Sequence, residues 1–291
     1  MTVAALARIA PGIDPAATRL LGEGVWGRVL DLGDGTVVKL MRQGGGLGTV
    51  AELWANEAAA LRALEHAALP VAVPRLVDAG LLEEAETGFA AYLRLTRLPG
   101  RTLDDGSLPV LLASGGRFAA QLGETLAALH GLEDSKGFSD PRAHLDRAHL
   151  AEMAPQVAHV AGHCAIAAID AGLGELDAGG TVVSHGDINS TNLLADAEGN
   201  LSGLIDWAEA RRDWREAEFC HLVLLEGALA PVRAAYEAAS GIRLDDRRLD
   251  LVGLHNALIG IVICRRLGEA EEAAWNEGEA CRLVARLGLT D

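Results

Sequence analysis

Residues 182–194 read VVSHGDINSTNLL, a short apolar run that breaks into a polar loop and ends on a second apolar pair. Asp187 in this loop can take a proton from a substrate hydroxyl. Asn192, five residues on, offers a neutral oxygen to a hard cation such as Mg²⁺. A plain polar turn would account for the polarity, but not for an HGDxxxxN spacing with apolar flanks. His185 reads as the residue that holds the loop through a backbone hydrogen bond, rather than as a metal ligand or half of a His–Asp dyad. Fourteen residues after Asn192, Asp206 closes the short strand-like run Leu204-Ile205-Asp206-Trp207. A hairpin turning over Ala195–Asn200 would bring Asn192 and Asp206 onto one metal carrying the β- and γ-phosphates.

Upstream lies Gly22-Glu23-Gly24-Val25-Trp26-Gly27-Arg28-Val29, a GxGxxGxV pattern. Glycines let a backbone approach phosphates and present N–H groups to them. A dinucleotide fingerprint would continue into a helix. Here a hairpin follows, with Gly33-Asp34-Gly35 between two apolar runs, so Gly22, Gly24 and Gly27 read as a flap over a nucleotide. Lys39 sits on the second strand of that hairpin. It is either the solvent-facing residue of an edge strand or the cation that meets the α- and β-phosphates, and taken alone it leaves both open. In the second case it needs an anionic partner, and Glu57 on the following helix is the candidate. Glu52 and Glu65 read as solvated helix carboxylates.

These residues need elements to hold them. From about Thr18 to Thr96 the pattern is strand-like, with strands expected at Arg75–Leu81 and Phe89–Leu95 and one helix at Ala51–Leu69 ended by Pro70. After Pro99-Gly100 helices dominate, at Leu111–Leu132, at His144–Ala171 and from Glu216 onward, with short strands at Thr181–Val183 and Leu201–Ile205. There is no internal repeat. The pattern predicts an α+β fold of two lobes, a β-rich lobe over 1–96 and a mainly helical lobe over 97–291, with a cleft near 94–100.

Composition narrows the function. The chain has 291 residues, 30.4 kDa, half of them hydrophobic, enough for a substantial core and too apolar for wholesale disorder. A formal charge of −16 and a pI near 4.9 argue against nucleic acid or anionic lipid as partner, both of which call for a basic face. Four cysteines without a CxxC pair argue against a zinc site and a disulfide framework, and for a reducing compartment. The first residues, MTVAALARIAPG, do not read as a signal peptide, and no stretch suits a membrane span. A cytoplasmic protein is expected.

The order of glycine flap, strand Lys39, helix Glu57, HGDINSTNLL and LIDWAEA resembles the aminoglycoside phosphotransferase family, over about Leu20 to Leu224. The resemblance implies a protein-kinase-like fold, shared with choline, fructosamine, homoserine and methylthioribose kinases. It implies an ATP- and Mg²⁺-dependent transfer to an alcohol group, with Asp187 catalytic, Lys39 and Glu57 serving the nucleotide, and Asn192 and Asp206 holding the metal. Residues Leu95–Leu103 are similar to the family's hinge and LPGxTL turn, which would put the Thr96 carbonyl and the Leu98 N–H on the adenine edge. Asp213 and Glu218 stand where the family shows a Gly-Asp-Pro turn and then an Asp, with the Gly and Pro missing. Gly186 replaces the Arg of the protein-kinase HRD, Trp207 replaces the Phe of DFG, and no APE motif follows, so phosphorylation switching and a protein substrate are not expected. The acceptor is expected to be a small molecule, first an aminoglycoside-like or other cationic antibiotic, with a metabolite kinase as the alternative and an inactive nucleotide-binding module as the third. The acids Glu269, Glu271, Glu272, Glu277 and Glu279 either line a site for such a cation or are solvated surface. Trp207, Trp214 and Trp275 suit either an acceptor contact or the core. A monomer or weak dimer is expected.

Overall fold

The computed structural model describes residues 6, 8–24, 27–42, 49–83, 87–104, 106–113, 116–133, 135–140, 143–177 and 180–289. Val25 and Trp26 of the glycine flap, the Gly-rich segment 43–48 and most of the first seven residues lie outside the described residues. The fold is α+β and kinase-like, an antiparallel sheet followed by a mainly helical part, as the pattern predicts.

Arg19–Gly24 (β1), Gly27–Asp31 (β2), Thr36–Met41 (β3), Leu76–Leu81 (β4) and Ala91–Thr96 (β5) form one antiparallel sheet in the order β1-β2-β3-β5-β4. Asp31 and Asp34 shape the β2–β3 turn by accepting the Gly33 and Thr36 N–H groups at 3.0 and 2.9 Å. Lys39 pairs with Val29 on one side and Leu93 on the other. β3 is therefore central, which removes the edge-strand reading of Lys39. Alternation along β3 sends Val38 and Leu40 into a cluster with Leu32 and Phe89, and leaves Val37, Lys39 and Met41 on the opposite face.

That opposite face is covered by helix α1, Val50–Ala63. Thr49 accepts the Glu52 N–H, and Glu52 reaches back to the Thr49 N–H at 2.9 Å, a reciprocal cap. Glu52 is thus committed to the helix start, not simply solvated. Leu53, Glu57, Ala60 and Leu61 recur at helical spacing on the buried side, which carries Glu57 inward with its apolar neighbours. The helix stops short of the expected Leu69. Leu64 caps it, and tighter bonds from Glu65 to Arg62 and from Ala67 to Leu64 unwind the chain before Pro70 is reached.

Two small sheets follow. Arg101–Thr102 (β6), Leu193–Ala195 (β8) and Leu201–Leu204 (β9) form one, and Val182–Ser184 (β7) with Arg211–Asp213 (β10) the other. The helices are Ser107–Ala113 (α2), Arg117–His130 (α3), Ala143–Val157 (α4), His163–Asp177 (α5), Cys220–Leu224 (α6), Leu229–Ser240 (α7), Asp246–Leu267 (α8) and Ala270–Leu287 (α9). Two expected helices are each divided. Gly116, extended at the start of α3, separates it from α2, and a turn over 158–162 separates α4 from α5. The main core cluster runs from Leu61, Leu93 and Leu95 on the sheet side through Leu122, Leu193 and Trp207 to Leu258 and Leu283. Trp207 and Trp214 are core residues, and Trp275 is exposed.

Candidate active site

The β8–β9 hairpin pairs Leu193 with Leu204 and bonds the Ile205 N–H to the Asn192 carbonyl at 3.0 Å, so Asn192 and Asp206 emerge side by side. Asp206 has φ +62°, a positive value among non-glycine residues that no other described residue shares. That conformation costs on the order of 1 kcal/mol or more and persists only where its surroundings enforce it. Here it turns the carboxylate onto Lys39, with Nζ to Oδ1 at 2.6 Å. On its other side Lys39 meets Glu57 Oε2 at 2.8 Å. Burial disfavours the ammonium, but Asp206 and Glu57 outweigh it and raise the Lys39 pKa. Glu57 itself is 1% exposed and accepts the Trp207 N–H at 3.3 Å, so helix α1 is bonded to the segment that carries Asp206. Asn56, beside it, donates to the carbonyls of Ala208 and Ala210, both at 2.7 Å.

Asp187 is held from several directions. Asn192 Nδ2 donates to its Oδ2 at 2.8 Å, Asn189 Nδ2 to its Oδ1 at 2.8 Å, and His221 Nε2 lies 3.1 Å from Oδ1. Burial would raise this carboxyl, but His221, His185 and Asn189 outweigh it and hold its pKa down at about 2. His185 is fully buried against Trp207, donates from Nε2 to the Ile205 carbonyl at 3.0 Å, and so fixes the loop as expected.

Glu218 anchors the loop from below. Its two oxygens accept the N–H groups of His185 and Gly186 at 2.8 and 3.1 Å, and His130 Nε2 lies at 3.3 Å. Gly186 has φ +80°, and a Cβ there would stand 2.5 Å from the Glu209 carbonyl oxygen. A side chain at this position, such as the Arg of HRD, does not fit. Asp213 accepts Arg211 Nε and the Trp214 N–H, both at 2.7 Å, which shapes the turn without the missing Gly and Pro.

Gly24 and Gly27 pair across the tip of the β1–β2 hairpin, with Gly22 on β1. A Cβ on Gly27, at φ +153°, would fall 1.7 Å from the Leu40 carbonyl oxygen. Thr96 ends β5, its N–H bonded to the Arg75 carbonyl at 2.9 Å, and Leu98 follows on the stretch leading to β6. The structure therefore brings together Lys39, Glu57, Asp187, Asn192 and Asp206. Sequence reasoning missed Asn56, Asn189 and His221. Their signals were weak: a neighbour of Glu57, a polar residue two after Asp187, and a His three after Glu218.

An open cavity of about 990 Å³ is lined by Asp187 but not by Lys39. Its polar wall includes Glu209, Arg211, Asp213 and His221, and its apolar wall includes Ile169 and Leu173 of α5 and one face of α8, with Val252, Ile259, Ile263 and Leu267. None of the acids Glu269 to Glu279 lines it. Glu277 pairs with Arg265 and Glu279 with Arg282 instead. The acceptor-lining reading of those acids is corrected in favour of surface positions, exposed at Glu269, Glu271 and Glu272 and ion-paired at Glu277 and Glu279.

The fold is shared with solved structures. A GDP complex of an aminoglycoside 2'-phosphotransferase-IIIa mutant superimposes with a TM-score of 0.74 at 16% identity, covering 97% of this chain and 95% of that one. A macrolide 2'-phosphotransferase type I gives 0.66 at 24% identity, covering 95% and 94%. A macrolide 2'-phosphotransferase from Brachybacterium faecium gives 0.64 at 20% identity, covering 96% of each chain. At these identities the likeness defines a class of fold. The sequence itself carries the rest: residues 18–252 match the model of the phosphotransferase enzyme family, APH, and the chain belongs to that family. It is a small-molecule phosphotransferase. No curated protein matches the sequence. No helix among the described residues is long and apolar enough to cross a membrane.

Proposed function

We propose that the chain transfers the γ-phosphate of ATP to a hydroxyl of a bulky cationic antibiotic, aminoglycoside-like or macrolide-like. The observation that carries this is the cavity of about 990 Å³ that meets the candidate site residues at Asp187 alone. Its volume sits at the upper end of drug-sized sites, and choline, homoserine or a simple sugar would fill a small part of it. Its wall offers polar groups, with Glu209 and Asp213 already paired to Arg211, and its α8 face suits an apolar body, which macrolides have and aminoglycosides lack. The metabolite-kinase reading is therefore second. The intact set Lys39, Asp187, Asn192 and Asp206 speaks against an inactive module.

In this reading residues 1–96 form the nucleotide lobe and 97–291 the catalytic and acceptor lobe. Gly22, Gly24 and Gly27 close over the phosphates, Thr96 and Leu98 meet the adenine edge, and Glu57 holds Lys39 on the α- and β-phosphates. The donor set fits Mg²⁺: the Asn192 amide nitrogen is taken by Asp187, leaving its oxygen, and Asp206 engages Lys39 through Oδ1, leaving Oδ2. Mg²⁺ bound there would neutralise charge on the β- and γ-phosphates. The acceptor oxygen bonds to the γ-phosphorus, the bond from phosphorus to the β–γ bridging oxygen breaks, ADP leaves, and the hydroxyl proton passes to Asp187. A carboxylate held near 2 is a weak base. Asp187 therefore acts first by orienting the hydroxyl and takes the proton late, as a loose phosphoryl transition state allows.

The test is ADP release with kanamycin, erythromycin, a tuberactinomycin-type peptide, choline, homoserine and glucose, in wild type and Asp187→Asn. One of the antibiotics is expected to stimulate release, and Asp187→Asn to lose roughly 10²–10⁴-fold in kcat while still binding MgATP. Stimulation by a metabolite alone moves the reading to the second class. Full turnover in Asp187→Asn removes Asp187 from the chemistry.

A further inference from the structure

Three side chains reach the Asp187 carboxylate, and they divide unequally between its oxygens. Asn189 Nδ2 and His221 Nε2 lie 2.8 and 3.1 Å from Oδ1, and Asn192 Nδ2 lies 2.8 Å from Oδ2. A carboxylate oxygen offers about two lone-pair sites. Oδ1 is filled, and Oδ2 keeps one site. The proton on His221 is located by its second nitrogen. Asn256 Nδ2, on α8, lies 3.3 Å from His221 Nδ1, and an amide nitrogen only donates. Nδ1 therefore accepts, and the ring carries its proton on Nε2, facing Asp187. His221 also lines the acceptor cavity, on the wall that Asp187 shares.

We propose that His221 is a positioning residue of the transfer: with Asn189 it occupies Oδ1 and so presents Oδ2 as the oxygen that meets the acceptor hydroxyl. This rests on the reading of Asp187 as the group that receives the hydroxyl proton. As the acceptor oxygen bonds to the γ-phosphorus and the β–γ bridging oxygen leaves with ADP, the hydroxyl proton goes to Oδ2, and His221 keeps its own proton throughout. Without His221, Oδ1 regains a free site, and an acceptor hydroxyl bound there is aimed away from the geometry set by Oδ2. The ring further depends on Asn256, so α8 contributes both the apolar wall of the acceptor cavity and the bond that fixes the tautomer beside Asp187.

The experiment compares His221→Phe, which keeps a ring and loses the donor, with His221→Gln, which keeps an N–H at similar reach, and with Asp187→Asn. Steady-state ADP release is measured with kanamycin and with erythromycin, and with water as the acceptor of MgATP if neither is used. Losing one hydrogen bond to a charged group should lower kcat about tenfold or more in His221→Phe. The KM for MgATP should stay within about twofold, and His221→Gln should recover most of the rate. A kcat within about twofold of wild type in His221→Phe, or equal losses in the Phe and Gln variants, overturns the proposal. If Asp187→Asn retains turnover, the reading of Asp187 falls instead. Inactive Asp187→Asn beside normal His221→Phe overturns the role of His221 alone. If His221→Phe does not fold, ¹⁵N NMR of the histidines in the full wild-type chain decides: a His221 protonated on Nε2 and bare on Nδ1 supports the proposal, and the opposite tautomer overturns it.

Discussion

Replacing Glu218 by Gln changes one oxygen to an NH₂ group and leaves the shape almost untouched. The wild-type carboxylate is fully buried and accepts the N–H groups of His185 and Gly186 at 2.8 and 3.1 Å, with His130 Nε2 at 3.3 Å. Every one of these partners is an N–H or ring nitrogen. In Glu218→Gln the amide oxygen can serve the N–H of His185 or that of Gly186, and the new NH₂ then faces the other donor. One charged hydrogen bond is lost, about 1.5–3 kcal/mol, and a buried N–H is left unpaired, about 1–3 kcal/mol. The two overlap, so a total of about 3 kcal/mol is expected, or roughly 6–12 °C in Tm for a chain of this size. Because Asp187 follows His185 and Gly186 directly, the same change displaces the carboxylate. Misplacement of about 1 Å can cost on the order of a hundredfold in rate. Calorimetry gives the first number and steady-state ADP release the second. The pH dependence adds a signature. Burial would raise the Glu218 pKa, but His130 and His185 outweigh it and the folded value is lowered. A lowered carboxyl stabilises fully above the ordinary Glu range and loses that stability as pH falls through it toward the folded value. The Gln variant should therefore show a flatter acid limb of Tm against pH. A Glu218→Gln protein with wild-type Tm, acid limb and kcat would refute the anchoring role of this carboxylate.

Lys39→Ala should raise the KM for MgATP and lower kcat together, whereas Asp206→Ala should abolish the response to added Mg²⁺; turnover that needs no divalent cation would contradict the metal reading. Gly186→Ala puts a Cβ 2.5 Å from the Glu209 carbonyl oxygen at φ +80°, so it should cost more than about 1 kcal/mol in a thermal melt and slow turnover, and an unchanged melt would show that the loop relaxes freely. Asn56→Ala removes two bonds to the carbonyls of Ala208 and Ala210 and should lower stability by about 1–3 kcal/mol, read from urea unfolding.

What could be read from the sequence was what local spacing encodes. HGDxxxxN and the run ending at Asp206 are near in sequence and joined by one hairpin, so their meeting followed from turn length. Lys39 was ambiguous because strand periodicity does not tell a central strand from an edge. That depends on β5, which returns beside β3 after 49 intervening residues. His221 and Asn256 could not be found because their partner relations cross from α6 to α8, and no local pattern records which helix faces which. The acids of α9 misled for a related reason: a charge count does not say which way a helix turns, and two of these acids, Glu277 and Glu279, close ion pairs with arginines on the neighbouring and the same helix. Helix ends at Leu64, Gly116 and 158–162 were blurred because alanine-rich stretches favour helix on either side of a break.

Helix α1 is locked at both of its dealings with the chain that follows. Asn56 grips two carbonyls beside Trp207, and Ala58, Ala60 and Leu61 belong to the same apolar cluster as Leu122 and Leu193. Swinging α1 outward would break those bonds, at about 1 kcal/mol each, and expose Leu61, at about 1.5–3 kcal/mol. The ion pair between Lys39 and Glu57 is thus made at folding and stays made. A catalyst assembled in this way has no off position to be signalled into. Its output then follows its own concentration and the supply of acceptor.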